Sequence, residues 1–161
     1  MLKISKLTDY GVVVLNVLAE AGAVKLSGEE IAGKTGLAMP TVRKVMKALA
    51  DSGLVIAQRG ARGGYRIARA PAQIRMLDVV QAFEGPVALT DCAAEEDACD
   101  ITHSCSLSSN WGGVNQLITQ VLARVTLNDI RQPERQQQLV REAEAAFHGN
   151  GGPGRAVDQE A

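Results

Sequence analysis

Aromatic residues are scarce. Two Phe, two Tyr and one Trp in 161 residues leave the core to Val, Leu, Ile, Ala and Met. No run approaches the ~18 apolar residues of a membrane span. The opening Met1-Leu2-Lys3-Ile4-Ser5-Lys6 lacks the basic, apolar and small-residue layout of a secretory signal. A cytoplasmic protein with no membrane partner is therefore expected. Cysteine is limited to three residues, an odd number and too few for a secreted disulfide scaffold. Enzyme signatures are missing too. No nucleophile–base pair stands out, and the glycine-rich stretch Arg59–Tyr65 lacks the Lys-Ser/Thr of a phosphate-cradling loop.

Net charge is only −1, but it is unevenly shared. Residues 1–69 carry 11 Lys/Arg against 5 Asp/Glu, and residues 70–161 carry 6 against 13. A basic front half and an acidic back half suit a DNA-contacting module joined to a separate sensing and dimerising half.

The front half reads as a winged helix-turn-helix over residues 1–70. Apolar residues at 7, 10, 14, 15 and 18 give the first helix a period that Gly22 ends. Ser27-Gly28-Glu29-Glu30 is a capping box opening a short helix over 28–34, and Thr35-Gly36-Leu37 is the turn. Pro40 sits at the start of a third helix over about 40–52, pre-set for helix and lacking only an N–H that would be orphaned there anyway. Val42, Val45, Met46 and Leu49 make one buried stripe, which leaves Thr41, Arg43, Lys44 and Lys47 on the other faces. A basic second helix after a tight turn is the element that enters a major groove. Arg43, with its planar fork, is the first candidate for base edges, and Lys44 and Lys47 suit phosphates. Strands over 54–57 and 65–68 flank Arg59-Gly60-Ala61-Arg62-Gly63-Gly64, a wing whose Arg59 and Arg62 can reach phosphates or a minor groove. Tyr65 and Ile67 are expected to alternate inward.

Behind Pro71, residues 76–84 form a linker helix stopped by Gly85-Pro86, and residues 86–106 show no clean period. A loop of that length in a compact domain is usually functional or disordered. Here it holds every cysteine: Cys92, Cys99 and Cys105. Clustered thiolates are soft ligands for zinc or an iron–sulfur cluster. Zinc usually shows a close C-x2-C pair, which is missing here. Asp91, Glu95, Glu96, Asp97 and Asp100 crowd the thiols, and like charge disfavours free thiolates, which favours a bound metal over a free-thiol switch. His103 and Asp9 are the candidates for a fourth ligand.

Leu107, Trp111, Val114, Ile118, Val121 and Val125 then recur in steps of 4, 3, 4, 3 and 4. This a/d seam predicts a dimerisation helix over 107–131 and hence a homodimer. Residues 132–161 turn to Gln, Glu, Arg and Gly and are expected to be a polar, disordered tail. The fold expected is mainly α with a small β-hairpin.

Several of these stretches resemble the winged-helix iron–sulfur regulators of the IscR/NsrR type. They are Leu7-Thr8-Asp9-Tyr10, Gly53-Leu54-Val55, the wing Arg59–Tyr65, Asp78-Val79-Val80 through Glu84-Gly85-Pro86, the three cysteines, and Trp111 leading into Val125-Thr126-Leu127. The likeness covers about residues 1–130. It implies a homodimer on a palindromic promoter site, with a 2Fe–2S or 4Fe–4S cluster on the cysteines. It also places Thr41, Arg43 and the wing arginines at DNA-contacting positions. The chain departs from the pattern in a first cysteine gap of six residues rather than five, and in Ser108 where the IscR-type branch has histidine. Asp9 stands where the NsrR-type branch supplies an aspartate from the partner subunit. The Pro40-Thr41-Val42 helix start is most similar to the branch that regulates SUF cluster-assembly operons. The function expected is a repressor of iron–sulfur assembly genes. A nitric-oxide or redox sensor using the same site, an iron–sulfur carrier, and a zinc-stabilised adaptor are the alternatives.

Overall fold

The computed structural model describes residues 4–60, 63–90 and 108–149. Three helices open the chain: α1 (Lys6–Ala21), α2 (Gly28–Thr35) and α3 (Met39–Asp51). Each start has a local cause. Ser5 caps α1 by accepting from the Thr8 N–H, and Ser27 and Glu30 form the reciprocal box expected for α2. Gly36 ends α2 with φ at +72°, a left-handed turn that glycine adopts without strain.

The hairpin follows as β1 (Val55–Gln58) and β2 (Gly64–Ile67), antiparallel, with Val55 opposite Ile67 and Gln58 opposite Gly64. Each strand lies one residue away from its expected span. Tyr65 exchanges both backbone hydrogen bonds with Leu26, at 2.9 and 2.8 Å. The wing is thereby tied to the residue just before the α2 cap. Tyr65 and Ile67 pack against the core, as their alternation predicts.

The core gathers Val14, Leu15 and Leu18 of α1, Ile31 of α2, and Val42, Val45, Met46 and Leu49 of α3. Leu26, Leu54, Val55, Ile74, Met76, Val79 and Leu127 complete it. Aliphatic side chains thus do the work that aromatics do elsewhere. A 3₁₀ turn (Pro71–Gln73) leads into α4 (Met76–Glu84), which lies against α1 and α3.

The back half is α5 (Ser108–Arg124), α6 (Leu127–Arg131) and α7 (Pro133–Gly149). The base of α5 is stitched to the start of α4. Met76 donates to the Val125 carbonyl and Leu127 to that of Ile74, both at 2.8 Å. Over Pro133–Gly149 the expectation of a disordered tail is corrected by α7, while residues 150–161 lie outside the described residues. It carries few apolar residues, but Pro133 suits a first turn and Ala, Glu, Gln and Arg are good helix formers. Arg135 reaches Asp129 and Glu142, both at 3.2 Å, and Gln138 reaches Glu142 one turn on at 2.8 Å.

Candidate nucleic-acid interface

The third helix separates its faces as the sequence predicts. Val42, Val45, Met46 and Leu49 are buried, Arg43, Lys44 and Lys47 are exposed, and Thr41 is half-buried. No carboxylate lies in its first turn. Three cations therefore stand on the open side of a helix that the core holds rigidly from behind. One of them is engaged. The Lys47 ammonium lies 2.6 Å from the Asp51 carboxylate, and that hydrogen bond holds the lysine above its usual pKa range.

The wing geometry depends on glycine at two adjacent positions. A Cβ on Gly63 would sit 2.4 Å from the Gln58 carbonyl oxygen and 2.7 Å from that of Gly60. Gly64 has φ at +141°, and a Cβ there would meet the Leu26 carbonyl oxygen at 2.9 Å. Arg59 is exposed at the hairpin end, while Arg62 lies outside the described residues. Arg66 is a further cation that the sequence reading passed over. It pairs across the hairpin with Ile56, an exposed position. The alternation of Tyr65-Arg66-Ile67 was the available signal.

Cys92, Cys99, Cys105 and His103 all lie outside the described residues, so their mutual geometry is not part of this structure. The residues leading into that segment are held by hydrogen bonds at both ends. Glu84, at the end of α4, accepts from the Ser5 N–H at 3.1 Å and from the Thr8 hydroxyl. These hydrogen bonds hold its carboxyl below the usual range. The next anchor is Asn115 of α5, whose amide donates to the Val87 carbonyl at 3.1 Å and accepts from the Leu89 N–H at 3.2 Å. The strap from Glu84 to Leu89 is thus fixed to α1 at one end and to α5 at the other. Asp9 is exposed in the first turn of α1, one residue beyond Thr8.

The seam expected on α5 resolves into two apolar faces. Leu122 and Val125 turn to the chain's own core. Trp111, Val114, Leu117 and Val121 face outward, 45, 42, 53 and 50% exposed. Leu117 is a member that the strict 3.5-residue period had left out.

Residues 4–133 match the family model Rrf2, described as an iron-dependent transcriptional regulator. The chain belongs to the Rrf2 family. It is a DNA-binding transcriptional regulator and not an enzyme, and the resemblance to IscR/NsrR-type regulators holds, since the Rrf2 family covers them. Among its relatives is Protein aau3 of Rhizobium meliloti (strain 1021), 30% identical over 130 residues, covering 80% of this chain and 84% of that protein. Protein rrf2 of Nitratidesulfovibrio vulgaris is 28% identical over 130 residues, covering 80% and 87%. Among solved structures, CymR, the global cysteine regulator of B. subtilis, has a TM-score of 0.62 at 26% identity, covering 81% of this chain and 96% of that one. IscR of T. potens has a TM-score of 0.59 at 28% identity, covering 95% and 94%. The family match ends at residue 133, so nearly all of α7 lies beyond it. With an IscR and a cysteine regulator among its neighbours, Rrf2 membership gives DNA binding.

Proposed function

We propose that this Rrf2 regulator is a homodimeric repressor of iron–sulfur cluster assembly genes that senses cluster status through Cys92, Cys99 and Cys105. The observation that carries the reading is the placement of all three thiols directly after a strap fixed to both α1 and α5. Three soft sulfur donors without a close pair fit a 2Fe–2S or 4Fe–4S cluster better than structural zinc, with His103 or Asp9 as fourth ligand. When bound, such a cluster supplies sensitivity to iron supply, oxidants and nitric oxide. Glu84 and Asn115 would then join the segment's state to the placement of α1 relative to α5. The outward apolar stripe of α5 supports a second copy as its partner, and two α3 helices related by a two-fold suit a palindromic promoter site.

Purified without air, the protein is expected to be brown and to contain iron and acid-labile sulfide, with Cys92→Ala, Cys99→Ala and Cys105→Ala each losing the visible absorption. Colourless protein with stoichiometric zinc would establish the adaptor reading instead. Bleaching by nitric oxide without a response to iron supply would favour the nitric-oxide sensor.

On the DNA side, Arg43 is assigned to base edges and Thr41, Lys44, Arg59 and Arg62 to the backbone or minor groove. Arg43→Ala is expected to cost about 1–3 kcal/mol of discrimination at one position of the half-site. The measurement is the sequence preference of duplexes selected from a random library. A uniform loss across all sequences would make Arg43 a phosphate contact.

A further inference from the structure

We infer that Asp51 is a built-in competitor for DNA phosphate, holding Lys47 back from the duplex and so limiting the regulator's grip on DNA of any sequence. The inference rests on the placement of α3 against DNA. Lys47 stands one turn beyond Arg43 on the same helix, where a cation would naturally meet the backbone. Instead its ammonium is drawn toward the C-terminal end of α3, 2.6 Å from the Asp51 carboxylate. Both side chains are open to solvent, 78% and 64% exposed, so the pair is available to a competing phosphate.

Helix stability does not account for this pair. Asp51 is the last residue of α3 and its only acidic one. A carboxylate at a helix C-terminus opposes the macrodipole. The order is also the weaker of the two i,i+4 arrangements, which favour the acid N-terminal to the base. Asp78 and Asp129 lie in the first turns of α4 and α6, where a negative charge is favoured. Glu84 ends α4 but is held there by Ser5 and Thr8, whereas Asp51 is set at an unfavourable end with a cation of the proposed DNA-facing helix as its partner. Lys44 and Lys47 line one groove with Leu7, Gln81 and Phe83, and Asp51 lies in it too. Phosphate and Asp51 therefore compete for the same ammonium.

The consequence is measurable without knowing the operator, because phosphate contacts are sequence-independent. The probe is sonicated mixed-sequence duplex DNA, with affinity followed from about 50 to 200 mM salt, where each phosphate contact contributes a log–log slope of about −0.9. Asp51→Asn is expected to tighten binding by about fivefold, at the upper end of what an exposed pair contributes, and to steepen the slope by about one contact. Lys47→Gln in the otherwise unchanged protein is expected to alter affinity by less than about twofold, since the lysine is already occupied. The decisive arm is the double variant, in which Asp51→Asn has no effect once Lys47 is gone. If Asp51→Asn tightens binding equally in the Lys47→Gln background, the carboxylate merely repels DNA and the inference fails. If Lys47→Gln alone flattens the slope by a full contact, Lys47 already grips phosphate and the inference fails as well. Lys44→Gln serves as the reference, because Lys44 is the α3 cation assigned to the backbone. If it too leaves binding and slope unchanged, the placement of α3 is at fault rather than the role of Asp51.

Discussion

Gly64→Ala is expected to destabilise the protein by about 3 kcal/mol, through a left-handed backbone that alanine resists and a carbonyl that its methyl would strike. For a chain of this length that is a fall in melting temperature of about 10 °C. The neighbour cannot give way easily, because Leu26, whose carbonyl oxygen lies 2.9 Å from the new Cβ, is pinned by its paired hydrogen bonds to Tyr65. The chain must either open that pairing, releasing the wing from the start of α2, or twist the hairpin and turn Arg59 away from its proposed contact with the duplex. Duplex binding should therefore weaken by more than about tenfold even at temperatures where the helices stay folded, as losing one or two backbone contacts would require. Gly33→Ala is the control. It lies inside α2 with open space around its missing Cβ, so it should melt at or slightly above the wild-type temperature. Equal melting of the two variants would show that the wing tolerates a side chain at residue 64.

The second large effect lies at the outward face of α5. Val121→Glu places a charge at the C-terminal end of the stripe formed by Trp111, Val114, Leu117 and Val121. Half of Val121 is already in water in the single chain, so the substitution leaves the core intact and the circular dichroism unchanged. Buried between two copies, an unpaired carboxylate would be costly. The expected result is a single chain by sedimentation. Its affinity for a two-half-site operator should fall by at least about 100-fold, because two linked binding events become two separate ones. A variant that still sediments as a dimer would place the contact between copies elsewhere, and the proposed role of α5 would be lost.

Much of the DNA-binding half was legible because each of its helices buries one face. Burial selects apolar residues at helical spacing, so the stripe of Val42, Val45, Met46 and Leu49 could be seen before any coordinates. The Ser27–Glu30 box and the wing glycines were legible for a related reason: their chemistry is local, and residues three apart or adjacent carry the whole signal. What escaped was not local. Asn115 bonds to Val87 and Leu89, 28 and 26 residues earlier, and nothing in its neighbourhood of the chain announces that. The helix α7 escaped because it rests on ion pairs and propensity rather than on a packed face. On α5, two apolar faces overlap in sequence, and one period fitted through both assigned Val125 to the seam while passing over Leu117. The engagement of Lys47 is legible only in part, from its i,i+4 spacing to Asp51.

The stitching of α5 to the first residues of α4 has a mechanical consequence. With Val125 and Leu127 fastened to Met76 and Ile74, the base of α5 is a fulcrum carried by the DNA-binding module itself. At 1.5 Å per residue its seventeen residues make a lever about 25 Å long, so a tilt of about 5° carries the far tip about 2 Å. Any torque applied near that tip is delivered to the module as rotation, and the orientation of α3, the helix proposed to read DNA, turns with it.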